Sequence, residues 1–317
     1  GGRPHAERRA LDQAGAAARG ATAFVTLEPC AHHGHTPPCA EGLIAAGVAR
    51  VVTALTDPDP RVAGRGHAML RAAGIAVTEG VLQAEATRLN AGFLRRVTEG
   101  LPFVTLKLAT SLDGRIATAS GESRWITGAQ ARTHVHMLRM THDAVMVGAG
   151  TALADDPDLT VRGLGARHQP VRIVLDSRLR LPVGSRLGRS AGDSPVWMVH
   201  GPMAPAAARS AWAATGATLI EAEAPGGTLA TRPALAALAA RGLTRILCEG
   251  GGTLAASLLN DRLAGDLALY TAGLALGAEG RAALGALKLA RLADAPRLIL
   301  RESQTLGADS YTLWSLA

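Results

Sequence analysis

Apolar and polar positions along this chain alternate in short blocks, and the blocks change period. Thr22-Ala23-Phe24-Val25-Thr26-Leu27 is an apolar run of the length a buried strand takes. A helical pattern over residues 5–18 precedes it and closes near Gly20. A second helix is predicted over 39–46, with Pro37-Pro38 ahead of it and Gly47 behind. Residues 50–55 read as the next strand, Asp57-Pro58-Asp59-Pro60 as a turn, 66–73 as a helix and 75–77 as a strand. One helical pattern then covers 83–97. Alternation of this kind predicts an α/β layer fold.

Glu99-Gly100-Leu101-Pro102 interrupts the pattern and marks a domain boundary, giving domains of 1–98 and 102–317. Residues 103–108 open a second alternating series. Its later strands are predicted at 144–147, 171–175, 196–199, 245–248 and 267–270, with Ala-rich helices at 204–214 and 232–240. The 317 residues suffice for two cores, and no internal repeat is visible.

Composition changes this picture little. The formal charge of +7 invites a nucleic-acid reading. Only Lys107 and Lys288 are lysines among the 33 basic residues, however, and the arginines are scattered. That is a compositional preference for Arg, not a binding face. Aromatics at 3% leave few platforms for stacking bases, so no nucleic-acid partner is expected. No apolar stretch is long enough to span a bilayer, and no signal peptide is visible, so no membrane partner and a cytoplasmic location are expected.

The chemistry concentrates at the start of the chain. His5 and Glu7, with Cys30 and Cys39 further on, form the set a zinc-dependent nucleobase deaminase needs. Catalytic zinc takes three N or S ligands, which His5, Cys30 and Cys39 supply, and keeps one position for water. Bound zinc lowers the pKa of that water to about 7. Glu7, two residues from the His ligand, is placed to shuttle protons. Eight residues separate the cysteines rather than the usual two, and His32, His33 or His35 among them could close a structural zinc site instead. Three cysteines do not make a disulfide scaffold.

A second concentration follows the boundary. Glu249-Gly250-Gly251-Gly252-Thr253 sits between a predicted strand and a helical run over 254–259, a place where backbone N–H groups can meet a phosphate. An ordinary tight turn reads equally well, and the glycine spacing is not that of a Rossmann fingerprint. Gly148-Ala149-Gly150 fails the same test at Leu153. Lys107 is the only lysine before position 288, which suggests ammonium chemistry that Arg cannot supply and makes it a catalytic candidate; the alternative is a strand-edge surface Lys. Asp155-Asp156 before Pro157 is open to three readings: a site residue pair, a solvated turn or a metal site.

Gly1-Gly2-Arg3-Pro4-His5-Ala6-Glu7 and Thr26-Leu27-Glu28-Pro29-Cys30-Ala31-His32-His33-Gly34-His35-Thr36-Pro37-Pro38-Cys39 resemble the deaminase half of the bifunctional riboflavin-biosynthesis pyrimidine deaminase/reductases. Residues 105–115, 121–128 and 147–162 resemble the reductase half, so the likeness covers nearly the whole chain. It implies a cytidine-deaminase-like α/β/α domain followed by a dihydrofolate-reductase-like α/β domain. It implies one zinc ion per chain and NADPH. Cofactor contacts are implied for Ala109, Trp125, Thr151, Asp155, Ser177, Gly251, Gly252, Thr253, Leu254, Ala255, Ala256 and Ser257, and substrate contacts for Ser123, Arg139, Leu159, Arg162 and Glu249. Arg139 and Arg162 suit a ribose phosphate, and Glu249 a hydroxyl or a transferred proton. The substrate implied is 2,5-diamino-6-ribosylamino-4(3H)-pyrimidinone 5′-phosphate, deaminated and then reduced at the ribosyl group, by a homo-oligomer. Family members carry a helix and strands ahead of the His-Ala-Glu motif, so a deaminase domain truncated at its N-terminus is expected. A reductase-only chain with an inactive deaminase module is therefore the alternative function. A nucleic-acid base deaminase is disfavoured by the long tract between the cysteines and by the second domain, and a non-catalytic zinc module by Glu7.

Overall fold

The computed structural model of the chain describes residues 4–33 and 37–316. It divides into two compact units, Gly1–Glu99 and Gly100–Ala317.

The N-terminal unit runs α1 (Ala6–Ala14), β1 (Thr22–Val25), α2 (Cys39–Ala46), β2 (Arg50–Thr53), α3 (Arg65–Ala72), β3 (Ala76–Thr78), α4 (Gln83–Leu89) and α5 (Ala91–Glu99). The three strands pair in parallel in sequence order, Thr22 opposite Arg50 and Arg50 opposite Ala76. Leu43 and Ala40 of α2, Leu70 of α3, Val51 of β2 and the flanking Val48 and Ile75 form its buried core. Helix α2 stops where predicted because Gly47 takes the left-handed conformation, φ +69°, and donates back to Leu43 and Ile44 carbonyls. The single helix predicted over 83–97 is two. Asn90 breaks it: its side-chain amide donates to the Ala86 carbonyl at 2.9 Å, in competition with the backbone ladder.

The C-terminal unit continues with β4 (Phe103–Ser111), β5 (Arg115–Ala117), α6 (Ala129–Met140), β6 (Ala144–Gly148), α7 (Ala149–Asp155), β7 (Val171–Leu175), α8 (Arg186–Arg189), β8 (Val196–His200), α9 (Ala206–Ala214), β9 (Thr218–Glu221), α10 (Thr231–Ala240), β10 (Arg245–Cys248), α11 (Gly252–Asn260), β11 (Ala264–Ala272), β12 (Arg281–Ala282), β13 (Leu298–Leu306) and β14 (Asp309–Leu316). Nine strands form one sheet in the order β13-β14-β11-β4-β10-β6-β7-β8-β9. From β11 to β9 every pairing is parallel; β13 and β14 add an antiparallel hairpin. The central parallel strand β6 is apolar, Ala144, Val145, Met146 and Val147 all being fully buried, as a strand covered on both faces must be. Three core clusters result, one around Leu106, Ile246 and Leu258, another around Val145, Val174 and Trp212, and a smaller one around Val135, Tyr270 and Tyr311. The α/β architecture expected of both units is the one observed. Helix α6 and the β13-β14 hairpin carry no strong apolar run and were not predicted.

Candidate functional sites

Two sites emerge, one in each unit. In the first, His5 is the N-cap of α1 and Cys39 the first residue of α2, so both ligands sit at helix starts. Cys30 lies in the loop after β1, and its carbonyl accepts the Ala40 N–H at 3.2 Å, tying that loop to α2. His5 Nδ1 is 3.3 Å from Cys39 Sγ and 3.7 Å from Cys30 Sγ, and the Cys39 N–H donates to Cys30 Sγ at 3.2 Å. The three donor atoms lie within 4.8 Å of one another, the one such group among the described residues.

Zinc suits this set. Burial above all, then the negative charges of Glu7 and Cys30 beside it, holds the Cys39 thiol far above its ordinary value. A divalent cation between the donors would reverse that penalty by stabilising thiolate. Glu7, in the first turn of α1, reaches Cys39 without joining the donor group. Of the histidines that could have supplied a fourth ligand, His33 meets Glu41 Oε1 at 3.0 Å, and His32 has a buried Nδ1 with no partner among the described residues. His35 lies outside the described residues. Among the described residues three donors and an adjacent carboxylate gather here, the protein ligand number that a catalytic zinc takes.

Sequence reasoning passed over Glu28. Its carboxylate is buried and accepts backbone N–H bonds from Asp57 at 3.1 Å, Gly64 at 2.9 Å, Gly66 at 2.8 Å and His67 at 3.3 Å. It thus caps the N-terminus of α3 from a distant strand end and pins the segment leading into Cys30. Gly66 is obligatory here, since a Cβ would strike the Pro29 carbonyl. The signal was a charged residue closing an apolar strand run.

The second site lies at the C-terminal ends of β10, β6 and β7, where an open parallel sheet places its ligands. A cleft of about 580 Å³ is lined by Lys107, Ser123, Arg139, Leu159, Arg162 and Glu249, among others. Every residue implied as a substrate contact is therefore in one cavity. Lys107, from the middle of β4, points its Nζ to within 4.0 Å of Glu249 Oε2. Arg139, from α6, grips Glu249 in a bidentate pair, Nε to Oε1 at 2.5 Å and Nη2 to Oε2 at 2.9 Å, and donates Nη1 to the Thr160 carbonyl at 2.7 Å. Burial is the largest influence on Lys107 and lowers its pKa; Glu249 opposes this and Arg139 adds to it. Burial pushes Glu249 up, but Arg139, with Lys107 and His136 behind it, more than offsets this and holds the carboxyl below its ordinary value.

The sequence matched Arg139 to a ribose phosphate. In this structure its guanidinium pairs with Glu249 and donates to the Thr160 carbonyl. Arg162 and Arg186, on the cleft wall and half exposed, both pair with Asp158. His136, also on the wall, accepts the Arg162 N–H at 3.2 Å, and burial, then Arg139 and Arg162, lowers its pKa.

A second, adjoining cleft of about 930 Å³ shares Ser123, Thr151 and Asp155 with the first. It holds Ser177, Gly251, Gly252, Thr253, Leu254 and Ser257. Ala109 and Trp125 line the first cleft instead. Ala255 and Ala256 line neither; both are buried on the inner side of α11. Gly251 is the N-cap of α11 with φ +83°, and a Cβ there would lie 3.0 Å from Thr151 Oγ1. The first bond within α11 joins the Ala255 N–H to the Gly251 carbonyl, so the N–H groups of Gly252, Thr253 and Leu254 are offered toward a phosphate. Residues missed from sequence on this wall include Ile116, Arg124, Arg180 and Arg281.

Comparison with known proteins adds to the geometry. Residues 102–312 match the RibD C-terminal domain family, and residues 2–55 the cytidine and deoxycytidylate deaminase zinc-binding region. The chain is 43% identical over 320 residues to the riboflavin biosynthesis protein RibD of Escherichia coli K12, covering 97% of this chain and 85% of that protein. The Haemophilus influenzae RibD is 42% identical over a similar span. Among solved structures, Acinetobacter baumannii RibD superposes with a TM-score of 0.88 at 39% identity, covering 99% of this chain and 86% of that one. A Thermotoga maritima diaminohydroxyphosphoribosylaminopyrimidine deaminase/5-amino-6-(5-phosphoribosylamino)uracil reductase superposes with a TM-score of 0.82 at 32% identity, covering 100% of this chain and 86% of that one.

Proposed function

We infer the roles of individual residues from a plain premise: the chain belongs to the RibD family of bifunctional riboflavin-biosynthesis enzymes. It is a zinc-dependent deaminase and a reductase that uses NADPH. The N-terminal unit is assigned the deamination of 2,5-diamino-6-ribosylamino-4(3H)-pyrimidinone 5′-phosphate and the C-terminal unit the reduction of its ribosyl group. The small phosphorylated pyrimidine is the only partner this chemistry requires. A reducing compartment suits the two free thiols of the donor set, which favours the cytoplasm. Exposed Ile299 and Leu300 on the edge strand β13 suit self-association into a homo-oligomer, which sedimentation of the full chain would reveal.

Zinc held by His5, Cys30 and Cys39 would acidify a water at its open position, which supplies a nucleophile at neutral pH. Glu7 is placed to relay both protons of a water, the first to the ring nitrogen and the second, from the hydroxyl then on the ring carbon, to the leaving amine, so that ammonia would depart and a carbonyl remain. In the C-terminal unit, bound NADPH would supply a hydride to C1′ of the ribosyl group. Opening the sugar ring leaves its oxygen in need of a proton, which Lys107 Nζ holds beside Glu249. Arg139 fixes the carboxylate, and Glu249 in turn orients the ammonium. Arg162 and Arg186 take the phosphate.

The observation that carries this reading is the half-buried Lys107 within 4.0 Å of a carboxylate that is itself clamped by arginine. The test follows both products on the purified full chain given the diaminopyrimidine phosphate. Ammonia release and NADPH oxidation are expected in sequence. Glu7→Gln should keep its zinc and lose deamination by about 10²- to 10⁴-fold. Zinc loss in that variant, or full activity, would overturn the role of Glu7.

A further inference from the structure

The cofactor cleft follows the order of the strands beneath it. Its near end, at β10 and β6, is the part shared with the substrate cleft through Ser123, Thr151 and Asp155. Its middle is the Gly250-Gly251-Gly252 turn. Its far end lies beyond the C-terminus of β7, at Ser177 and Arg180, where the hydroxyls of Thr231 and Ser257 meet at 2.7 Å. A dinucleotide must keep its nicotinamide at the shared end to reach the substrate beside Lys107 and Glu249. With its pyrophosphate on the α11 N-terminus, its adenosine falls past β7.

NADPH differs from NADH by one phosphate, carried on the 2′-oxygen of that adenosine. Three arginines line the cleft, and two are placed elsewhere. Arg124 donates to the Asp155 carbonyl at the shared end. Arg281 is on β12, beside the Gly252 turn, where a Cβ would meet the Ala282 carbonyl at 3.3 Å. Arg180 remains, and it is braced. The Asp176 carboxylate, fully buried, accepts the Leu181 N–H at 2.9 Å and faces Arg180 Nε at 3.4 Å. Among the described residues the two terminal amino groups of Arg180 make no hydrogen bond. A guanidinium held through Nε presents those two groups as a fork, the geometry that matches two phosphate oxygens.

We propose that Arg180 binds the 2′-phosphate of NADPH, with Asp176 setting the direction of its guanidinium, and so determines the choice of NADPH over NADH. This rests on the reading that the C-terminal unit binds NADPH in the adjoining cleft.

The experiment compares reductase kinetics of the full chain and its Arg180→Gln and Arg180→Lys variants with NADPH and with NADH. Adenosine 2′-monophosphate and adenosine 5′-monophosphate serve as competitors. Arg180→Gln should raise the KM for NADPH by roughly 10- to 100-fold, the loss of a charge-assisted pair, and leave kcat and the KM for NADH unchanged. Arg180→Lys should fall between, since it keeps the charge and loses the fork. The wild type should be inhibited better by the 2′- than by the 5′-monophosphate, and Arg180→Gln should lose that difference. Retention of the NADPH preference in Arg180→Gln overturns the proposal. So does equal weakening of NADPH and NADH, which would mark a purely structural arginine. A wild type indifferent between the two cofactors would instead overturn the cofactor reading beneath it. Arg180→Lys keeps the test decisive should Arg180→Gln fail to fold.

Discussion

At the scale of single residues, surroundings decide what a given side chain does. Glu7 and Glu28 are both carboxylates next to zinc ligands. Glu7 is partly exposed and beside Cys39, whereas Glu28 is sealed and saturated by four backbone donors. Glu28→Ala would strip those donors of their acceptor, at a cost of about 3 kcal/mol. It should lower the thermal stability of the N-terminal unit and speed zinc release to a chelator, because the segment entering Cys30 loses its anchor. An unchanged release rate would show that Cys30 is held by other means. Lys107 gives a prediction in pH. Burial lowers its pKa, so it sheds its proton below the ordinary lysine range. If Nζ supplies the proton to the sugar oxygen, kcat for reduction is full at lower pH and declines as the pH rises through that lowered value. A pH profile that stays flat up to the ordinary lysine range would exclude Lys107 as the donor.

At the scale of elements, the turn between β10 and α11 does the most with the fewest atoms. Gly251 takes a left-handed φ of +83°, and Gly252 packs where a Cβ would meet Ala283 O at 3.1 Å and Gly285 N at 3.2 Å. A branched residue at 251 faces a backbone penalty of about 1–2 kcal/mol and fills the space beside Thr151. Gly251→Val and Gly252→Val should therefore each raise the KM for NADPH by about tenfold or more. Unchanged cofactor binding, read by fluorescence titration, would remove the turn from the cofactor site. The β13-β14 hairpin shows the limit of periodic reading. Its first strand is almost wholly exposed and carries Arg-Glu-Ser-Gln-Thr through its middle, so no apolar run announces it. It exists because β14 pairs with β11 along seven registered positions and extends a sheet already built.

At the scale of the molecule, each unit owns a core. Leu43, Val51 and Leu70 serve one; Leu106, Ile246 and Leu258, with Val145 and Trp212 on the other face, serve the second. The catalytic groups of the reductase site all come from residues after Gly100. A polypeptide of residues 101–317 is expected to unfold in one cooperative transition and to oxidise NADPH with the deaminated substrate at the rate of the full chain. Circular dichroism melting and a spectrophotometric assay would check both. A broad melt or a large loss of rate would mean that the second unit depends on the first.

The sequence by itself determined the metal set, the parallel strands and the glycine turn. Those features are local: His5 and Cys39 sit at helix starts, a strand buried on both faces reads as an apolar run, and a positive φ selects glycine. Only the tertiary structure decided which groups Arg139, Glu28 and Arg180 bond. Arg139 and Glu249 are 110 residues apart, and nothing in either neighbourhood announces that the arginine pairs with the carboxylate. Glu28 finds its donors 29 to 39 residues away, on a loop and helix brought to it by the β1-β2 pairing. A charged side chain has one composition and many possible partners, and packing chooses among them by which burial leaves every charge paired.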